Sequence, residues 1–126
     1  MPRLFDSHSH INAKEFDADR PLVIDRMRQA GLVGALVLGC DRSEIDGIKD
    51  LVHENPGFLY GAWALHPEYA DVPETSVNEI CDICSAPEIT AVGETGLDFH
   101  WCHGDLTWQK ERFRMHIRAA KILKKP

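Results

Sequence analysis

The chain has 126 residues and 44% apolar content, which is enough for one buried core and too little length for several domains. Its formal net charge of −6 argues against a protein that holds nucleic acid by bulk electrostatic attraction. No apolar run approaches the roughly 20 residues that span a bilayer, and the first residues lack a secretory pattern. We therefore expect a cytoplasmic protein that does not bind a membrane.

Four apolar, β-prone runs alternate with segments of helical spacing, and Gly, Pro, Asp or Asn marks the joints between them. The predicted strands are residues 3–7, 33–38, 58–65 and 88–93. The first predicted helix has Pro21 in its first turn and ends at Gly31. The other predicted helices are residues 43–54, 74–84 and 107–123.

Apolar residues at three- and four-residue steps predict which face each helix buries. In the first helix these residues are Leu22, Val23, Met27 and Ala30. In the last helix they are Phe113, Ile117, Ala120 and Leu123. Seven of the 14 Lys and Arg residues lie in residues 110–126, and we interpret them as a solvated face, with a phosphate-binding face as the alternative.

The four cysteines are too unevenly spaced for a disulfide scaffold, so we expect reduced thiols. Cys81 and Cys84 have the spacing of a redox or zinc pair, but they lie in a predicted helix, where residues i and i+3 share a face. We interpret this pair as small buried residues, with a zinc or redox role as the alternative.

Four βα units predict an α/β fold with a parallel sheet, because each crossover helix returns the chain to the same end of the sheet. An open doubly wound sheet and part of an eight-stranded barrel both satisfy this pattern. Polar residues at the carboxyl ends of three predicted strands favour the barrel, whose chemistry collects at that rim. No glycine-rich phosphate loop follows the first strand, which argues against the open sheet. The predicted fold class is the parallel (βα)4 half of a TIM-type (β/α)8 barrel.

His8 and His10 stand one residue apart at the end of the first predicted strand. Residues i and i+2 of a strand point to the same face, so the two imidazoles can converge on one point. Neutral imidazole is a common ligand of divalent transition metals, which suggests a metal site. A solvated turn without a ligand explains a bare His-x-His pattern equally well.

Glu94 leaves the fourth predicted strand between Gly93 and Gly96, which permit a sharp turn and a close approach to a ligand. Its carboxylate can bridge two divalent ions that His8 and His10 help to hold. Pairing of Glu94 with a protein cation is the alternative. The histidine pair at a matching rim position favours the metal site.

These motifs resemble the TatD family of metal-dependent deoxyribonucleases and hydrolases, and the resemblance covers essentially the entire chain. It rests on Asp6-Ser7-His8-Ser9-His10, Ala64-Leu65-His66-Pro67, Gly93-Glu94-Thr95-Gly96-Leu97-Asp98-Phe99, and Gln109 followed by Phe113. The resemblance implies a TIM-type barrel with one or two divalent ions, Mg, Mn or Zn, at its carboxyl rim. It also implies hydrolysis of DNA phosphodiester bonds by metal-activated water.

The resemblance also implies roles for individual residues. His8 and His10 would be metal ligands, and Glu94 would be both a bridging ligand and the catalytic residue. His66 and Asp98 would belong to the substrate-binding part of the site, His66 near the phosphate or the metal and Asp98 orienting the loop beneath.

Two segments depart from the family pattern. Residue 116 is His116 where the family often has a second glutamine, and residues 100–103 replace a tyrosine-containing loop. We interpret His100 and His103 of this loop as exposed residues. The alternative is that they are additional metal ligands.

A complete barrel of this type takes about 250 residues, so we expect residues 1–126 to form a single TatD-like domain truncated before strand five. The family's other half would add two histidines and an aspartate, so three ligands and weak metal affinity are expected here. We expect the strand residues Leu4, Val37, Trp63 and Val92 to face a barrel interior that lacks its opposite wall. The isolated chain is therefore expected either to form a homodimer that covers this open half-barrel or to aggregate.

Alternative functions remain open from the sequence. A related amidohydrolase that cleaves a carbon–nitrogen or ester bond would use the same metal-activated water. A non-catalytic remnant would bind a metal or a partner without turnover. Whether the 126-residue chain is active or an incomplete, inactive fragment is also left open.

Overall fold

The computed structural model describes residues 2–126 and contains one four-stranded parallel sheet in the order β1-β2-β3-β4. The strands are β1 (Leu4–Ser9), β2 (Leu32–Gly39), β3 (Leu59–Trp63) and β4 (Ile89–Val92). The helices are α1 (Arg20–Gln29), α2 (Ile45–Glu54), α3 (Val77–Cys84) and α4 (Thr107–Leu123). Short 3₁₀ turns at Lys14–Phe16 and Arg42–Glu44 precede α1 and α2. The alternation of parallel strands and helices confirms the predicted (βα)4 half-barrel.

Most element ends differ by one or a few residues from the sequence-based prediction, and two of these differences bear on the site and on helix capping. β1 extends through Ser9, so His8 lies within the strand and His10 directly after it. α3 begins at Val77 rather than at residue 74, because the Ser76 hydroxyl caps the helix by accepting the Glu79 N–H at 3.1 Å. None of the helices in the described part of the chain has the length and apolar character needed to cross a membrane.

The main core lies between the sheet and the helices. Its largest fully buried apolar side chains are Val37, Ile48, Leu59, Trp63, Leu65, Ile80 and Ile89. Burial of each such side chain stabilises the fold by about 1.5–3 kcal/mol. The indole N–H of Trp63 donates to the Asp41 carbonyl at 2.7 Å, so this buried polar group is satisfied.

The opposite face of the sheet, the interior face of the half-barrel, carries a smaller cluster. Its members are Leu36, Leu38, Ala62 and Ala91. Val37, Trp63 and Val92, predicted to face the interior, pack in the core on the helix side instead. Since successive strand residues alternate between faces, the prediction was wrong by one residue in each of these strands.

In two helices only part of the predicted apolar face is buried. Val23 and Met27 of α1 and Ala120 and Leu123 of α4 pack against the core as predicted. In α1, Ile24 is buried and Leu22 is exposed. In α4, Ile117 is 44% exposed, and the buried residues are Gln109, Arg112, His116 and Ala119. α4 buries polar side chains because the segments beneath it present backbone N–H and C=O groups. Residues 110–126 were interpreted as a solvated basic face. This interpretation is wrong for Arg112, which is 2% exposed.

α3 carries the cysteine pair. Cys84 is buried in the core and its thiol lies 3.4 Å from the Trp63 carbonyl, whereas Cys81 is half-buried, and both are free cysteines. Burial raises the pKa of the Cys84 thiol to about 12, so it stays protonated at neutral pH. This placement supports the interpretation of the pair as packing residues.

After α4 the chain reverses direction at Lys124, whose backbone is left-handed. The Pro126 carbonyl then accepts the Val92 N–H at 2.8 Å. Pro126 therefore lies beside β4, at the position that a further parallel strand would take.

Candidate metal centre

The carboxyl ends of the strands bring histidines and a carboxylate to one rim of the sheet. His8 and His10 come from the end of β1, His66 follows β3, and Glu94 follows β4. Because the strands are parallel, these ends meet at the same edge. Residues far apart in sequence are thus neighbours, as the barrel prediction required.

His8, His10 and Glu94 form a nearly equilateral triangle of donor atoms. The two Nε2 atoms lie 3.2 Å apart, and Oε2 of Glu94 lies 3.2 Å from Nε2 of His8 and 3.3 Å from Nε2 of His10. Ligand bonds of about 2.0–2.1 Å with tetrahedral angles put donor atoms about 3.3 Å apart. The donor set therefore fits a divalent cation, and the exposure of both imidazoles leaves the site open to solvent.

His66 approaches the other oxygen of Glu94. Its Nε2 lies 3.4 Å from Oε1 of Glu94, and its Nδ1 accepts the backbone N–H of Glu68 at 3.1 Å. A neutral imidazole whose Nδ1 accepts a hydrogen bond carries its proton on Nε2. His66 therefore presents an N–H donor to the site rather than a free ligand nitrogen.

Cys40 is a neighbour of the site that the sequence analysis missed. It follows β2 directly, and its thiol, the His66 ring and the Glu94 carboxylate lie within 4.8 Å of one another. Burial, together with the nearby carboxylates of Glu44 and Glu94, raises the pKa of the Cys40 thiol to about 12. The thiol is therefore protonated at neutral pH. Its position after the second strand, matching those of the other site residues, was the available signal.

Asp98 stabilises the loop that follows Glu94 by accepting hydrogen bonds from its backbone. Its Oδ2 accepts the backbone N–H groups of Trp101 at 3.0 Å and Cys102 at 2.8 Å. Desolvation opposes ionisation of Asp98, but the hydrogen bonds from Cys102 and Trp101 hold the pKa of its carboxyl below the usual value. The carboxylate is thus engaged in ordering the loop, and a contact with substrate stays a prediction.

The same loop is fixed from below by Gln109 of α4. The Gln109 side chain accepts the Asp98 N–H at 3.0 Å and donates to the carbonyls of Asp98 and Pro67, both at 3.1 Å. Above these anchors the loop exposes two aromatic side chains, Phe99 at 62% and Trp101 at 71%. The loop is therefore an ordered segment with aromatic residues on its outer side.

His100 and His103 are exposed in this loop, as interpreted from the sequence. Within residues 2–126, neither of them belongs to a cluster of potential metal ligands. The candidate ligands are therefore those at the strand ends.

Proteins of one family are similar to this chain. Residues 5–126 match the family model described as TatD related DNase. The uncharacterized metal-dependent hydrolase YabD of Bacillus subtilis (strain 168) is 36% identical over 124 residues, which cover 98% of this chain and 48% of YabD. The 3′-5′ ssDNA/RNA exonuclease TatD of Pantoea vagans (strain C9-1) is 32% identical over 124 residues, with coverage of 98% and 48%.

The similarity extends to three dimensions. The crystal structure of YJJV, a TatD homologue from Escherichia coli K12, matches with a TM-score of 0.81 and 25% identity, over 98% of this chain and 48% of YJJV. The chain spans about half the length of the curated relatives it matches. The match to the family model includes His8 and His10 at the end of β1 and the segment with Glu94 after β4, and the chain therefore belongs to the TatD-related DNase family.

Proposed function

We propose that this chain supplies the first four βα units of a metal-dependent hydrolase that cleaves phosphodiester bonds in DNA. The observation that carries the proposal is the triangle of donor atoms from His8, His10 and Glu94, with edges of 3.2–3.3 Å. The names of two relatives, a metal-dependent hydrolase and a 3′-5′ ssDNA/RNA exonuclease, support it.

His8 and His10 would bind the cation through Nε2, and Glu94 through Oε2. The second oxygen of Glu94 faces His66 at 3.4 Å and could bridge to another ion only by giving up this contact, so one or two divalent ions are proposed. Mixed nitrogen and oxygen donors suit Zn²⁺ or Mn²⁺, whereas Mg²⁺ prefers oxygen ligands. When bound, the cation lowers the pKa of a coordinated water and neutralises charge on the phosphate oxygens.

His66 would act on the substrate. Its Nδ1 accepts the Glu68 N–H, so the N–H at Nε2 points toward the rim and can donate to a phosphate oxygen. Oε1 of Glu94 lies 3.4 Å from this nitrogen. Asp98 would act indirectly, by ordering the loop beside the site.

The exposed aromatic residues of this loop favour a single-stranded substrate. Phe99 and Trp101 lie on its outer side, and the loop packs on the segment that carries His66, where the Cys102 thiol lies 3.7 Å from the carbonyls of Pro67 and Glu68. Unpaired bases stack on such side chains without regard to sequence. Stacking together with the metal would let a chain of net charge −6 bind a polyanion.

Glu94→Gln tests the proposal. Mn²⁺ binding is measured by titration calorimetry, and hydrolysis is followed on a single-stranded DNA oligonucleotide. The variant is expected to lose Mn²⁺ binding and hydrolysis together, whereas Glu111→Gln, an exposed carboxylate of α4, leaves both unchanged. Mn²⁺ binding by Glu94→Gln with the affinity of the unaltered chain would refute the metal site.

A second candidate is a metal-binding unit without turnover. Its support is that the proposed ligands His8, His10 and Glu94 come from the ends of β1 and β4, which provides three ligands within residues 2–126. Metal binding with no hydrolysis of DNA would support this candidate. A parallel screen against amides and carboxylic esters would detect the amidohydrolase alternative.

A further inference from the structure

The buried face of α4 is a row of polar side chains. Gln109 and His116 are fully buried and Arg112 is 2% exposed. All three hydrogen-bond to the backbone of residues 65–69, which carries His66. Burying polar groups without hydrogen-bond partners is costly. These three side chains avoid that cost because they bond to the backbone beside His66, and they thereby hold this backbone against α4.

His116 contacts the residue just before His66. Its Nε2 accepts the Leu65 N–H at 3.1 Å, and its Nδ1 donates to the Arg112 carbonyl at 2.8 Å. Both ring nitrogens are therefore engaged, and the ring must be neutral with its proton on Nδ1. Burial also lowers the pKa of His116, which keeps this form at neutral pH.

Arg112 contacts the other side of His66. Its Nη1 donates to the carbonyls of His66 at 2.8 Å and Tyr69 at 2.7 Å. Its Nε and Nη2 donate to the Glu74 carboxylate at 2.9 and 3.1 Å, and its guanidinium lies 4.8 Å from the centre of the Trp108 ring. The buried charge is thus compensated, and the planar fork serves three acceptors at once.

From these contacts we infer that His116 and Arg112 are positioning residues for His66. They hold the Leu65 N–H and the His66 carbonyl, so the backbone on both sides of the imidazole is fixed and Nε2 stands 3.4 Å from Glu94. The inference rests on the proposed function, in which His66 donates to phosphate. His8 and His10 are held by β1 and lie outside this arrangement.

The test compares His116→Leu with His116→Gln in the 126-residue chain. Leucine has no acceptor for the Leu65 N–H, whereas a glutamine amide can both accept from Leu65 and donate to Arg112. Ile117→Gln, on the exposed side of the same helix, is the control. Three quantities are measured: Mn²⁺ affinity, affinity of the Mn²⁺-loaded chain for inorganic phosphate, and the ¹⁵N chemical shifts of the His66 ring.

His116→Leu is expected to weaken phosphate binding about tenfold and to change the His66 nitrogen shifts, with Mn²⁺ affinity within about twofold of the unaltered chain. His116→Gln and Ile117→Gln are expected to retain all three values. A folded His116→Leu chain with unchanged His66 shifts and phosphate affinity would overturn the inference.

Arg112→Lys provides a second route if His116→Leu does not fold. Lysine keeps the charge but cannot serve Glu74, His66 and Tyr69 together, so the His66 shifts are expected to change. Unchanged shifts in Arg112→Lys would overturn the inference. Because the shifts are read without metal, they test the positioning of His66 even if the unaltered chain binds no Mn²⁺ and the proposed function fails.

Discussion

Nε2 of His66 lies 3.4 Å from Oε1 of Glu94, while Oε2 of the same carboxylate faces the β1 histidines. One side chain thus contacts two groups of different chemistry. The β1 histidines offer ligand nitrogens, and His66 offers a proton donor. Glu94 therefore joins the proposed metal side of the site to its proposed phosphate side.

His8→Ala and His10→Ala are each expected to weaken Mn²⁺ binding by more than about tenfold. Even residues that only support metal ligands cost about 10- to 100-fold in affinity when they are removed. Titration calorimetry measures the effect. His53→Ala is the matched control, because His53 is exposed on α2 and pairs with Glu88 away from the rim. Equal Mn²⁺ affinity in all three variants would contradict the site.

Asp98→Ala is expected to lower the free energy of unfolding at pH 7 and to have less effect at pH 3. The folded-state pKa of Asp98 lies below its unfolded value, so its contribution is complete above the unfolded pKa and disappears as the pH falls through the folded pKa. Urea unfolding at the two pH values measures the difference. Asp71→Ala, at an exposed position, serves as control. A larger loss at pH 3 than at pH 7 would show that the sign is wrong.

Trp101→Ala is expected to weaken binding of single-stranded DNA by about 5- to 150-fold, the range for loss of one stacked base. Fluorescence anisotropy of a labelled oligo-dT measures the affinity. An abasic oligonucleotide of equal length retains the phosphates and should bind both proteins equally. Leu22→Ala, exposed on α1, is the control. Equal loss with the abasic strand would exclude stacking.

The 126-residue chain is expected to form a homodimer through the interior face of its sheet. Leu36, Leu38, Ala62 and Ala91 form only a small cluster there, and β1 and β4 are the outer strands. Light scattering after size-exclusion chromatography measures the mass. Leu36→Lys should shift the chain toward monomer, whereas Ile122→Lys on exposed α4 surface should not. A monomer for the unaltered chain across the accessible concentration range would contradict the prediction.

Gly61→Ala is expected to destabilise the fold by about 1–3 kcal/mol through overpacking. A Cβ at residue 61 would lie 2.8 Å from the Glu88 carbonyl oxygen and 2.9 Å from side-chain atoms of Ile48 and Ile89. Gly47→Ala in α2 is the opposite case, since a Cβ there meets nothing within 4 Å, and about 0.4–1 kcal/mol of stabilisation is expected. Thermal or urea unfolding measures both. Equal effects of the two substitutions would refute the packing argument.

Local sequence patterns predicted the secondary structure and the convergence of two histidines. Apolar runs and helical spacing predicted four strands and four helices in the observed order. The i, i+2 spacing of His8 and His10 predicted two imidazoles on one face, and their Nε2 atoms lie 3.2 Å apart. These features depend on neighbours in the sequence, so the sequence by itself determined them.

Only the tertiary structure decided which face of each element is buried and how the strand ends meet. Val37 and Trp63 face the helices rather than the barrel interior. The sequence did not predict this orientation, because a nearly continuous apolar strand carries no pattern that distinguishes its two faces. Arg112 and His116 are buried because the backbone of residues 65–69 crosses beneath α4 and needs hydrogen-bond partners there. Cys40 reaches the site because β2 ends at the same rim. Each outcome depends on contacts between residues distant in sequence, which no local pattern records.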